Sequence, residues 1–349
     1  MRRGARAAAL AACLACARPE PLPDARVVCP AMVSDGQYRM GTVLEISLCA
    51  PDRATGEALL RESFASVAAL EHASSTFDAA SEVSALNRAA GRGPQRVSPA
   101  LARLTADSLA FTPATRGAFD VTVGPLVALW KAAAEAGRLP GAAELAAARA
   151  RVGAERVAVD AAAGTVELRA PGAALDFGGI AKGWALDRAC ERLRAAGVTR
   201  ALLTFGESSI AAIGAAPGWD GWGIALSDAG GGFAGTVELR DRSLSTSGSL
   251  GQYVEIGGRR FGHVIDPRSG QPLERARVAI VLAGDGARAE ALSKALLILG
   301  ERDGVALLEA EGGAEGLLLD EDGTQHASRG WAAASHYTRD WPSREPGGE

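Results

Sequence analysis

The sequence predicts an α+β fold, and three observations carry that prediction. Stretches that alternate apolar and polar residues, as strands do, are interleaved with segments of helical spacing. The two kinds of segment follow one another without the regular strand–helix–strand rhythm of a doubly wound sheet. Glycine-rich turn signals break the second half of the chain into short strands. With 349 residues, 48% of them hydrophobic and 22% charged, the chain can bury a sizeable core in one large domain or two smaller ones. A net charge of −4 leaves no electrostatic footprint for nucleic acid.

The first residues, "MRRGARAAALAACLACARPE", have a basic start, a short apolar run and then cysteines, the pattern of a secretory signal. The run is too short to span a bilayer. Leu10-Ala11-Ala12-Cys13 resembles the bacterial lipobox, with Cys13 as the lipidated residue. Cys16 is an alternative cleavage point, and an Ala-rich disordered start is the plain reading. Residues 1–16 are expected as signal peptide and lipobox. Residues 17–39, with Pro19, Pro21, Pro23 and Pro30, are expected as a linker approaching the first strand. Residues 40–337 are expected as the folded domain and 338–349 as a polar tail. The spacing of Cys29, Cys49 and Cys190 suits neither a zinc site nor a disulfide framework, and it leaves open whether Cys29 and Cys49 pair. No other apolar stretch is long enough to cross a membrane, so the body is expected to be soluble and tethered.

Within the domain, "GTVLEISLC" (41–49) alternates as a strand, residues 53–73 have helical spacing, and "SSTFDAASE" is a polar loop. Residues 98–112 read as a helix because Ser98 precedes Pro99 at the first helical position. Helices are expected over 124–137, 142–153 and Gly179 to about Ala196. A hairpin is expected over 156–170, and strands at "RALLTFG" and "WGIALSD". "TVELRDRSLSTSG" and "QYVEIGGRRFGHVIDP" add β structure with a Gly-Gly turn. "RVAIVLAG" leads into a helix at 287–299, and "GLLLDEDGTQHA" closes the domain with a hairpin.

Short motifs stand out against the Ala-rich background. "LDFGGIAKGWALD" (175–187) sets Lys182 in a turn entering a helix, where backbone N–H groups are free. "GAFDVTVGPLVALW" (117–130) joins an Asp and a Thr to a Gly-Pro break and a helix. "LSTSG" (244–248) is a hydroxyl-rich turn, and "HVIDPRSGQPL" (263–273) sets His263 before an Asp-Pro turn. Each has a plain structural reading: Asp120 and Asp176 as helix caps, His263 as a strand residue, Thr246 and Ser247 as turn formers.

Taken in order with "MGT" (40–42), "SEVSALN" (81–87) and "AEALSKALLILG" (289–300), these motifs resemble the ApbE family of FAD:protein FMN transferases from about Met40 to Gly300. The resemblance implies an α+β fold related to the T-fold, with FAD buried in a groove. It implies that FAD is split at its pyrophosphate with a divalent metal, usually Mg²⁺. FMN would pass to a threonine or serine hydroxyl of a target protein, and AMP would leave. The implied targets are flavin-carrying subunits of respiratory electron-transport complexes, such as the sodium-pumping NADH:quinone oxidoreductase. The implied location is the bacterial cell envelope, as a membrane-anchored lipoprotein facing the periplasm.

Carried onto this chain, the resemblance assigns Lys182 as a point cation for the pyrophosphate and His263 as the base for the acceptor hydroxyl. Met40, Phe77, Ala118, Phe119, Asp120 and Asp176 match flavin-site positions, with Phe77 able to stack on a ring or to sit in the core. Ile265 matches a backbone contact. Gly179, Glu290 and Lys294 fall at the metal positions, and there the match fails. The family pattern A-D-A-L-A-T-A-L reads Ala289-Glu290-Ala291-Leu292-Ser293-Lys294-Ala295-Leu296. Glu can replace Asp as an oxygen ligand, but an ammonium has no lone pair to give a metal. Lys294 is one turn from Glu290, the spacing of an ordinary ion pair. A second departure lies at "TFGESSIAAIG" (204–214), which keeps Gly206 but has Glu207 and Ser208-Ser209 where many members read Asn-x-Gly-Gly-Asp. Four readings follow: transfer persists with Lys294 or a Glu290-held metal supplying charge; the chain binds FAD without cleaving it; water replaces the acceptor, making an FAD pyrophosphatase; or the chain is a flavin-free scaffold.

Overall fold

In the computed structural model, which describes residues 29–339, the first elements are the hairpin strands β1 (Ala31–Arg39) and β2 (Thr42–Ala50). Met40 and Gly41 turn the chain between them at φ 48° and 80°, the left-handed pair that a two-residue hairpin turn requires. A disulfide between Cys29 and Cys49, Cα atoms 5.6 Å apart, ties the foot of this hairpin. Next come α1 (Arg53–Ser74), capped by the Asp52 carboxylate, then α2 (Glu82–Arg88), the short β3 (Gln95–Arg96) and α3 (Pro99–Ala114). Ser98 caps α3 by accepting from the Leu101 N–H at 3.2 Å, as the sequence predicts. Helices α4 (Gly124–Glu135) and α5 (Ala142–Arg149) follow, then the hairpin β4 (Val157–Asp160) and β5 (Thr165–Leu168), which β3 completes.

Helix α6 (Ala181–Ala195) leads to β6 (Ala201–Phe205) and β7 (Ser209–Ile213). The hairpin β8 (Trp222–Ser227) and β9 (Phe233–Leu239) precedes β10 (Ser243–Gly248), and β11 (Tyr253–Ile256) pairs with β12 (Arg259–Gly262). The last elements are β13 (Arg277–Ala283), α7 (Gly286–Glu311), β14 (Glu315–Asp320), β15 (Gln325–Ala327) and α8 (Trp331–Ser335). Eight strands make the central antiparallel sheet in the order β1-β2-β6-β7-β10-β13-β14-β15. The fold is α+β.

Strand alternation sorts the sheet's side chains onto two cores. On one face Leu44, Ile46 and Leu48 of β2 meet Phe64 of α1 and Trp184 of α6, while Val281 of β13 meets Leu292 and Leu296 of α7. On the other, Ile210, Leu244 and Ile280 pack under the β8–β9 hairpin and Trp331. Both faces of β7 and β13 are therefore buried.

Several expectations are corrected. The second part of the expected 17–39 linker is β1, an edge strand whose mostly exposed side chains give no clear alternation. The "LSTSG" segment is the interior strand β10, not a turn: its Ser245 and Ser247 hydroxyls meet Ser293 of α7 and its backbone pairs on both sides. Helix α5 stops at Arg149, short of the expected 153. The helix expected to end at 299 runs on to Glu311 across a break at Gly300 (φ 80°). The pairing of Cys29 and Cys49, which the sequence leaves open, is present as a disulfide. Cys13, Cys16 and the lipobox lie outside the described residues, as do residues 340–349 of the expected tail. Among the described residues no helix is long and apolar enough to cross a membrane.

The disulfide closes a loop of sequence separation 20, which by loop entropy contributes about 3 kcal/mol. Replacing Cys29 and Cys49 together by Ser is expected to lower the unfolding free energy by that amount in urea titrations. A loss under about 1 kcal/mol would show that the unfolded chain is not constrained as the entropic account requires.

Candidate functional site

Three of the sequence motifs meet at one loop. Asn87, the last residue of "SEVSALN", pairs its side-chain amide with the backbone of Leu175, donating to the carbonyl at 2.9 Å and accepting from the N–H at 2.8 Å. The next residue, Asp176, donates its N–H to the Val121 carbonyl at 2.8 Å, joining the "GAFDV" segment to the same loop. The Asp176 carboxylate turns the chain by accepting from the Gly178 N–H at 2.8 Å. Burial raises its pKa above the ordinary value, against that hydrogen bond. The loop then enters α6, whose N-cap position, Ile180, supplies no side-chain cap. Lys182 follows in the first turn, half-buried.

The Lys182 ammonium donates to Ser208 Oγ at 2.7 Å, and that hydroxyl donates onward to the Phe205 carbonyl at 3.0 Å. Burial lowers the Lys182 pKa, while the Glu290 carboxylate raises it and the Lys294 ammonium lowers it. These opposed influences put all three charges in one neighbourhood. Glu290, on α7, is 2% exposed. Its two oxygens are both engaged: Oε1 accepts from the Ser209 hydroxyl and Oε2 from the Lys294 ammonium. The Lys294 side chain is 18% exposed, and its Cε lies 3.9 Å from where a Cβ on Gly179 would stand. Ser293, between them on α7, meets the Ser245 and Ser247 hydroxyls of β10 at 3.0 and 2.8 Å, which locks the helix onto the sheet.

His263 follows β12. Both its backbone N–H and its ring Nδ1 lie 3.0 Å from the Gln252 carbonyl. A carbonyl can only accept, so Nδ1 carries a proton, and in the neutral ring Nε2 keeps a lone pair. Burial is the main influence lowering the ring's pKa. The Gln252 bond opposes it, and the ammoniums of Lys294 and Lys182 add to it. Both ammoniums act on the His263 ring, so the three groups share one region.

The other expected residues are placed differently. Asp120 is 7% exposed; its Oδ1 accepts from the Thr122 N–H (2.8 Å) and hydroxyl (2.6 Å) as a helical cap. Burial raises its pKa despite those bonds, and the Glu155 charge adds to the rise. Asp120 also borders an open cleft of ≈ 490 Å³ shared with Arg149, Pro267 and Arg268. Ala118 and Phe119 bury their side chains, Phe119 edge-on to Phe111 at 6.3 Å. Ile265 is buried too, its backbone bridged to Pro272. Met40 holds its left-handed turn with its N–H on Glu71 Oε1 at 2.5 Å. Phe77 is no core residue, for it stands 95% exposed in the loop after α1. Sequence reasoning missed Asn87, although its motif was singled out, and it marked Ser208 and Ser209 only as departures from a pattern.

A divalent metal does not fit the residues at 179, 290 and 294. Both Glu290 oxygens have partners, and the ammonium of Lys294 offers protons where a ligand must offer a lone pair. An ion 4 Å from that ammonium would meet a repulsion of about 8 kcal/mol at an effective dielectric of 20. Among the described residues no three His, Cys, Asp or Glu side chains converge where they could hold a metal.

Comparison with known proteins finds several similar proteins. The ApbE family description matches residues 40–318. A Klebsiella pneumoniae (strain 342) protein named FAD:protein FMN transferase is 30% identical over 303 residues, covering 83% of this chain and 85% of that protein. The crystal structure of the ApbE protein of Thermotoga maritima superposes with a TM-score of 0.77 at 26% identity, over 87% of this chain and 99% of that one. The apo form of the Pseudomonas stutzeri flavinyl transferase ApbE gives 0.76 at 29% identity, over 87% and 96%.

Since Lys294 neutralises a carboxylate that is itself buried, Lys294→Met is expected to cost about 3 kcal/mol of stability by leaving Glu290 unpaired. Lys182→Met, which frees only a hydroxyl, is expected to cost about 1 kcal/mol. Chemical denaturation of both variants checks the order; equal costs would mean that Glu290 does not depend on Lys294.

Proposed function

The chain belongs to the ApbE family, and we propose that it is an FAD:protein FMN transferase, moving FMN from FAD to a threonine or serine hydroxyl of a target protein and releasing AMP. The observation that carries this reading is the convergence of the Lys182 and Lys294 ammoniums with the His263 imidazole. Phosphoryl transfer needs positioning and neutralisation of charge more than covalent help from the protein. Lys182, in the first turn of α6, neutralises the pyrophosphate with its ammonium. His263 Nε2 takes the proton of the acceptor hydroxyl as its oxygen bonds to the FMN phosphorus. The bond from that phosphorus to the bridging oxygen breaks, and AMP leaves with the electron pair.

For the rest of the nucleotide, Asp176 and Asp120 offer carboxylates, Met40, Ala118, Phe119 and Ile265 offer backbone, and Phe77 offers an exposed ring for stacking. The magnesium that the resemblance implies finds no ligand set among the described residues.

The target assigned is a flavoprotein subunit of a respiratory electron-transport complex. The assigned location is the periplasmic face of a bacterial membrane, with Cys13 as the lipid anchor. The Cys29–Cys49 disulfide supports an oxidising compartment.

Purified protein incubated with FAD and a threonine-bearing acceptor is expected to yield AMP and in-gel flavin fluorescence on the acceptor. Free FMN without labelled acceptor would make the chain an FAD pyrophosphatase instead. His263→Ala is expected to lower the transfer rate by about 10²- to 10⁴-fold. Because the folded ring titrates below its usual 6.5, it is neutral and able to accept a proton at pH 7. The rate should thus be level from about pH 7 to 8 and fall only as pH drops through that lowered value. An acid limb centred above pH 7 would remove His263 from this role.

A further inference from the structure

We propose that Lys294 is the resident cation of the site: its ammonium, anchored by Glu290, neutralises the FAD pyrophosphate in place of a divalent metal, so that FAD binding and cleavage proceed without one. The inference rests on the flavin transferase reading above and adds how that site supplies its charge.

Three observations carry it. Glu290 spends one oxygen on Lys294 and the other on Ser209, which fixes the ammonium while using one of its three donors. The Lys294 stem runs past Gly179, 3.9 Å from its Cβ position, toward the loop that presents Lys182. The two departures from the family pattern are also one structural unit. Ser208 holds Lys182, Ser209 holds Glu290, and Glu290 holds Lys294. A site that had merely lost a metal ligand would leave Glu290 buried with an oxygen unpartnered, at high cost; here every charge has a partner. Lys182 and Lys294 against Glu290 leave one net positive charge facing a pyrophosphate.

The step balances without a metal. The hydroxyl oxygen bonds to the FMN phosphorus, its proton passes to His263, and the phosphorus–oxygen bond to AMP breaks. The charge gathering on the departing phosphate is met by the two remaining N–H donors of Lys294.

The test uses the purified full chain, stripped of metal with EDTA and dialysed. FAD affinity is read from flavin fluorescence, and AMP and labelled acceptor are measured alongside. The expected result is that FAD binds metal-free and that adding Mg²⁺ changes its Kd by less than about threefold. Lys294→Thr combined with Glu290→Asp is expected to weaken metal-free binding about tenfold, the scale of a lost charge-assisted hydrogen bond, with Mg²⁺ restoring it. The wild-type titration stands even if that variant fails to fold. FAD binding by the wild type only after Mg²⁺ is added would overturn the inference, as would a folded variant that binds metal-free FAD as tightly as wild type. Metal-free binding with AMP and labelled acceptor appearing only once Mg²⁺ is added would overturn the inference, and binding that gives neither product even with Mg²⁺ would overturn the transferase reading. No FAD binding under any condition would overturn both.

Discussion

The site depends on how closely two helices can approach. A Cβ on Gly183 of α6 would stand 2.3 Å from the Gly286 carbonyl oxygen, and one on Gly286 of α7 would stand 2.5 Å from the Gly183 carbonyl oxygen. Neither position can hold a side chain, so α6 and α7 touch backbone to backbone. Asp187, one turn along α6, secures the contact by accepting from the Gly286 and Ala287 N–H groups at 2.6 and 2.9 Å, where the first turn of α7 has free donors. Lys182 precedes one glycine and Glu290 follows the other by one turn. Their meeting is a consequence of that contact.

Once Glu290 is in that position, its surroundings follow from the cost of burying a charge. A carboxylate out of reach of water needs partners for both oxygens. Lys294 supplies one from the same helix and Ser209 supplies the other from the sheet. The sheet can do so because β7 and β10 pair in a register that sets Ser209 opposite Ser245, under α7. The Ser245 and Ser247 hydroxyls then meet Ser293 rather than water. A strand of small hydroxyl residues in the middle of a hydrophobic sheet thus has a physical purpose. It lets a helix with a polar first half lie flat on the sheet without unpaired groups.

The surroundings of that packed centre are more open. Phe77 projects from a loop, and the cleft by Asp120 is bounded by side chains of α5 and of the Pro267-Arg268 turn. The division suits phosphoryl transfer. In the proposed function the charges that would meet the pyrophosphate sit on rigid helices and gain from a low dielectric, while the rest of the nucleotide would be left to exposed groups that can adjust.

By itself the sequence determined most of the elements, because their signals are local. Ser98-Pro99 starts a helix through its own side chain and ring, the Gly257-Gly258 turn bends a hairpin through its own backbone, and the ordered motifs identified the family. It hid β1, whose exposed edge lacks alternation, and β7, whose burial on both faces erases it. Only the tertiary structure decided which polar groups meet. Asn87 clamps a loop 88 residues away, and Ser209 reaches a carboxylate 81 residues away. The Cys29–Cys49 link likewise needed the hairpin to bring its ends together. A residue's type states what it can donate or accept, but whether a lysine in a helix is an ordinary surface cation or the partner of a buried carboxylate is set by how near two glycines let another helix come. That distance is written in no local pattern.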